Sequence, residues 1–181
     1  QNKNIYLDNA SPAITSVTSI RVNGVYGIGD NIDVRISYDE NVTVHQAPRV
    51  KLSTGNSTAG YATYTGGSGS NTIVFNYTVR PGDNTNDLHV EALEDGNVTD
   101  AFGNAADRNV GSRFRDTKDI KLDTQAPSIS FVEPGDRTTY KKSHSVVINS
   151  SDNIAGSKDT KYCWNTSSNW ASVNWGEVSE L

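Results

Sequence analysis

Apolar residues fall on alternate positions over much of this chain. Ile32, Val34, Ile36 and Tyr38 are separated by single polar residues, as are Ile73, Phe75, Tyr77 and Val79. That period of two predicts strands with one buried face. Val42, Val44, Val50 and Leu52 keep the same parity, with Pro48 marking an edge or a bend. Tyr61-Ala62-Thr63-Tyr64 predicts a further strand, followed by a Gly66–Ser70 turn. Arg80-Pro81-Gly82-Asp83 reads as another turn, after which Leu88, Val90 and Ala92 resume the pattern. Ile120 and Leu122 close the unit. With a strand near Ile14–Val22 the count is about seven short strands and no convincing helix, the arrangement of an antiparallel β-sandwich. Residues 94–118 stand apart, too long for a tight turn and expected to be functional or to carry some structure of their own.

A phrase is said twice. Ile5-Tyr6-Leu7-Asp8-Asn9-Ala10-Ser11-Pro12-Ala13-Ile14 returns as Ile120-Lys121-Leu122-Asp123-Thr124-Gln125-Ala126-Pro127-Ser128-Ile129. In each copy a strand ends at an Asp, a Pro-containing link follows and a new strand begins. The repeat divides the chain into a strand end and linker of a preceding unit (1–12), a complete sandwich (13–122) and a second unit (123–181). The second unit shows strand patterns at 129–132, 145–148 and 161–164, about half of what a sandwich needs.

Composition narrows the picture. Hydrophobic residues are 34% of the chain, but charged residues are only 20% and the apolar ones alternate, which argues against disorder. The formal charge of −5 at pH 7, without a basic patch, argues against nucleic acid and anionic membranes and leaves a cation as the natural electrostatic partner. No run is apolar enough to predict a membrane span. Cys163 is the only cysteine, so no intrachain disulfide and no cysteine metal set is expected.

Several phrases together carry a resemblance. They are Tyr26-Gly27-Ile28-Gly29-Asp30, Tyr38-Asp39-Glu40-Asn41-Val42, Tyr77-Thr78-Val79-Arg80-Pro81-Gly82-Asp83 and Val98-Thr99-Asp100-Ala101-Phe102-Gly103-Asn104-Ala105, followed by Leu122-Asp123. Residues 13–123 resemble the bacterial Ig-like (cadherin-like) tandem repeats of large surface proteins such as adhesins and S-layer proteins. The resemblance implies an all-β, Ig-like antiparallel β-sandwich followed by a partial second Ig-like unit. It also implies an extracellular place, at a bacterial cell surface or secreted, and neighbouring repeats of the same protein as partners. A surface glycan or protein receptor is a further expected partner.

Alternating strand direction places the entering linker, the 39–41 turn and the 94–118 loop at one end. That end would gather Asp8, Asp39, Glu40, Asp95, Asp100 and Asp107. Carboxylates meeting at a joint suit Ca²⁺, which accepts six to eight oxygens in loose geometry. Similar repeats hold Ca²⁺ at their linkers, and the same logic pairs Asp123 with Asp152 and Asn153 in the second unit. Asp30, Asp83 and Asp87 fall at the opposite end of the first. All of these acids also suit the plainer task of closing turns.

Catalysis finds little support. His45, His89 and His144 lie in separate strand-like stretches, and Ser68 sits in a flexible Gly-Gly-Ser-Gly turn. Lys51 lies on the polar parity of its strand, which gives no help to a buried isopeptide cross-link. Trp164, Trp170 and Trp175 crowd the second unit; Trp164 suits a core, while Trp170 and Trp175 are candidates for stacking on sugar rings. The leading expectation is a non-catalytic structural or adhesive repeat stiffened by Ca²⁺. The alternatives are a carbohydrate-binding module and an accessory domain of a secreted multi-domain hydrolase.

Overall fold

The computed structural model describes residues 7–132, 147–154, 161–163 and 175–177. The chain forms two units, Gln1–Thr124 and Gln125–Leu181. The first is built from β1 (Ile14–Thr18), β2 (Gly24–Tyr26), β3 (Asn31–Gln46), β4 (Arg49–Leu52), β5 (Gly60–Gly66), β6 (Ser70–Thr78), β7 (Val90–Glu94), β8 (Asn97–Thr99), α1 (Arg113–Thr117) and β9 (Ile120–Leu122).

One antiparallel sheet runs β1-β3-β6-β5-β4-β7, with β8 added to the far half of β3. The sheet curls. Beyond β7's start, Thr85 bridges Leu122 and the Leu88 N–H donates to Ile120 O at 2.9 Å, and β9 then pairs in parallel with β2. The fold is all-β and sandwich-like. Its core is the predicted alternating set: Ile32, Val34, Ile36, Ile73 and Phe75 are all 0% exposed. Each such side chain contributes about 1.5–3 kcal/mol on burial.

The structure departs from the predicted pattern in three places. Residues 39–41 are not a turn between two strands. They are a bulge inside the 16-residue β3, where pairing with β6 jumps from Ser37↔Thr72 to Val42↔Ser70. The extra residues keep both halves of the strand on the core side and push Asp39 and Glu40 outward. In β7, Val90 and Leu93 are buried while Ala92 is half-buried, because the register with β4 slips between Lys51 and Leu52. Residues 94–118 carry structure of their own, as expected, but part of it is the unexpected short helix α1, whose buried Phe114 was hidden among polar neighbours.

Local chemistry explains how that segment is reached. Asp95 and Gly96, at φ 55° and 69°, form a bend between β7 and β8 without reversing the chain, since Glu94 faces Arg49 on one side of it and Asn97 faces Gln46 on the other. Asp-Gly suits such a bend, since both residues tolerate positive φ. A side chain at Gly96 would lie 2.5 Å from the Pro48 nitrogen, so only glycine fits.

In the second unit β10 (Ser128–Val132) pairs antiparallel with β11 (Val147–Ser151), and β12 (Lys161–Cys163) with β13 (Trp175–Glu177). Three of the four strands overlap patterns read from the sequence. His144, Trp164 and Trp170 lie outside the described residues, and Trp175 enters only through the backbone of β13.

Candidate metal centre

The segment entering the first unit is fastened along its length. Asp107 N–H donates to Pro12 O at 2.8 Å, and Asp39 N–H donates to Ala13 O at 3.0 Å. The Ala13 N–H donates to Asp39 Oδ1 at 2.8 Å. Further back, Asn104 Nδ2 donates to the carbonyl of Asp8 at 3.2 Å. Asp8 Oδ1 in turn accepts the Ala10 N–H at 3.0 Å, closing a small Asx turn. These contacts hold Asp8 over the same end of the sandwich as the β3 bulge and the loop after β8.

The loop after β8 is folded around one carboxylate. Asp100 Oδ1 accepts the N–H groups of Phe102 and Asn104, both at 2.8 Å, and Oδ2 accepts Asn104 Nδ2 at 2.7 Å. The Asp100 N–H returns a bond to Asn104 O at 3.1 Å. Burial pushes the Asp100 carboxyl up, but these bonds from Asn104, with those from the Phe102 and Gly103 N–H groups, leave it net below its ordinary value. Asp100 therefore stays ionised and rigid.

Asp8, Glu40 and Asp100 converge, with one carboxylate oxygen from each lying within 4.8 Å of the other two. Asp8 is exposed, Glu40 half-buried and Asp100 buried. Among the described residues no salt bridge reaches any of the three. The strain falls on Glu40, whose carboxyl is raised by desolvation and by the charges of Asp8, Asp100 and Asp39. Three carboxylates at one point form a hard, all-oxygen donor set that can hold a metal ion. A divalent cation would neutralise the repulsion concentrated on Glu40.

The remaining predicted ligands have other tasks. Asp39 staples the entering segment through Ala13. Asp107 Oδ1 caps Asn109 N–H at 2.9 Å, while its carbonyl accepts the Tyr38 hydroxyl at 3.3 Å. Asp95 pairs with Arg49 at 2.6 Å.

Nor do the acids at the opposite end form a metal cluster. Asp30 closes its own turn through the Gly27 N–H, and Asp87 pairs with Arg115 at 2.7 Å. Asp83, 0% exposed, accepts bonds from the Tyr77 hydroxyl, the Arg80 N–H and Asn56 Nδ2. Burial, with Asp83 beside it, pushes Tyr77 up to about 12.

Asp123 and Asp152 belong to different units. The Asp123 N–H donates to Tyr26 O at 2.9 Å, and Asp152 Oδ1 accepts the Ile154 N–H at 3.1 Å. The strand registers add a parallel between the units. Ile14 faces Tyr38 in the first, and Ile129, its counterpart in the repeated phrase, faces Ser150 in the second. Two residues after Tyr38 stands Glu40, and two after Ser150 stands Asp152.

His45 Nε2 meets Thr99 Oγ1 at 3.0 Å, His89 lies against Arg115, and Ser68 Oγ accepts the Val44 N–H in a turn. Lys51 is paired with Glu91 at 2.9 Å on the polar face. Asn104 was not expected from sequence, although Asp-x-x-Gly-Asn is a spacing at which a side chain can close a loop on its own start. No helix among the described residues is long and apolar enough to cross a membrane. No protein-family model, curated protein or solved structure matches the chain.

Proposed function

We propose that the first unit is a non-catalytic structural or adhesive repeat of a bacterial extracellular surface protein. In this reading Ca²⁺ bound by Asp8, Glu40 and Asp100 stiffens the joint through which the chain enters the sandwich. The observation that carries it is the meeting of one linker carboxylate with two from the body of the unit. A cation held there ties the linker to the domain, whereas its absence leaves three like charges opposed. Asn104 and Asp39 already fasten the linker nearby, so the ion would complete a joint that is largely preformed.

Carboxylates from separate segments, at a solvent-facing end and with loose spacing, favour Ca²⁺ over Mg²⁺, which demands tighter octahedral geometry. The strand order and the twice-used Leu-Asp…Pro phrase support a unit meant for tandem joining. The register position of Asp152 is consistent with the same device being repeated in the second unit.

The test is a calcium titration of thermal unfolding, with Mg²⁺ and chelator as controls. For a site of the extracellular class, with Kd of about 10⁻⁴–10⁻³ M, ~10 mM Ca²⁺ should stabilise the unit by about 1–3 kcal/mol. A melting curve indifferent to Ca²⁺ removes the metal from the reading.

A further inference from the structure

Leu7 and Leu122 occupy the same step of the repeated phrase, yet Leu7 is 95% exposed and Leu122 is 0% exposed. Leu122 is sheltered because β9 pairs with β2 and bridges Thr85. Leu7 has the pattern of a closing strand, and a large apolar side chain so exposed is one that a preceding unit of the same kind would bury.

The two copies of the phrase show the joint Asp from its two sides. On the preceding side, the Asp123 N–H donates to Tyr26 O at 2.9 Å, and Gly27 lies close against the Asp123 carbonyl. Ile28 follows in the turn closed by the Asp30 N–H on Gly27 O, and it is 59% exposed. On the following side, Asn104 holds the Asp8 carbonyl, and Asp100 stands beside the Asp8 carboxylate. Phe102, tied to Asp100 through its N–H, is 61% exposed. An isoleucine and a phenylalanine thus stand within two residues of groups that touch the same joint position, one from each side.

We infer that a preceding copy of this sandwich docks end to end on the first unit, its Ile28-position side chain packing against Phe102. The occupant is a repeat of the same fold because the contact point is set by the shared phrase, which only such a repeat supplies. Both side chains sit on short hydrogen-bonded turns, so covering them costs little ordering entropy. The inference rests on the tandem-repeat reading but not on the calcium part of it.

It is tested in a tandem protein that carries a further copy of residues 13–119 ahead of residues 5–181, so that Ile5-Tyr6-Leu7 takes the place of its closing strand. Ile28→Cys in the added copy is combined with Phe102→Cys and Cys163→Ser in the chain. A disulfide should form under mild oxidation more than about tenfold faster than in a control with Thr65→Cys in place of Ile28→Cys, the margin expected when two sulfurs are held adjacent. The rate advantage should persist in chelator. As a second readout, Phe102→Ser should lower the melting temperature of the tandem protein and leave that of the unextended chain unchanged. Cross-linking no faster than the control, or a Phe102→Ser effect equal in both proteins, overturns the contact. Loss of the calcium response alone would strike only the metal reading.

Discussion

At the scale of single residues, the most informative side chain is Glu40, because desolvation and like charge act on it in the same direction. Its carboxyl is raised by desolvation and by the charges of Asp8, Asp100 and Asp39. A raised acid is costly when ionised, so its penalty is absent below the unfolded carboxylate range and appears as pH rises through it. Glu40→Gln should therefore raise the melting temperature in chelator at pH 7, lose that gain in acid, and abolish the response to Ca²⁺. Calorimetry at two pH values, with and without Ca²⁺, checks all three signs.

Asp33 behaves the other way. Burial raises its carboxyl, but bonds from Ser19, Arg35 and the Ile20 N–H outweigh burial and leave it below 3.8. Its contribution is present above the unfolded value and fades as pH falls through the folded one. Asp33→Asn should cost roughly 1–3 kcal/mol near neutrality and progressively less towards pH 3, as followed by urea unfolding. Asp83 is fully buried. Asp83→Ala removes the acceptor of the Tyr77 hydroxyl and of the Arg80 backbone N–H, and should cost about 2–3 kcal/mol by urea unfolding.

The elements show where hydrophobic alternation suffices as a guide. It locates β3 and β6 because every second residue of each faces the core, and a period of two leaves no other register. It misplaces the centre of β3, since a bulge inserts residues without announcing itself in polarity. Helix α1 was invisible for a related reason. Five residues with one buried side chain have no period to detect, and Phe114 marks the element only once the core beneath it is known. Phe114→Ala should remove that anchor at a cost of about 3–5 kcal/mol, measured by denaturant unfolding. If the cost stays below ~1 kcal/mol, α1 is an ornament of the loop rather than part of the core.

Across the whole molecule, the recurring phrase and the strand parity were enough to read an all-β chain divided near residue 123. Those features are local: parity records which face meets the core, and the Asp and Pro of the phrase record where a strand stops. The meeting of Asp8, Glu40 and Asp100 is not local. It joins residues from the linker, a mid-strand bulge and a loop after β8, brought together by the pairing of β8 with β3 and by the Asn104 bond to the Asp8 carbonyl. Sequence could nominate acids for that end, but Asp39 and Asp107 were equally good nominees. The structure gave both of them hydrogen bonds along the entering segment instead. Alternation thus determined the class of fold, because burial acts on each residue through its own face. Tertiary structure alone decided which carboxylates converge, because a site that can hold a metal depends on distances across the chain that no run of neighbouring residues contains.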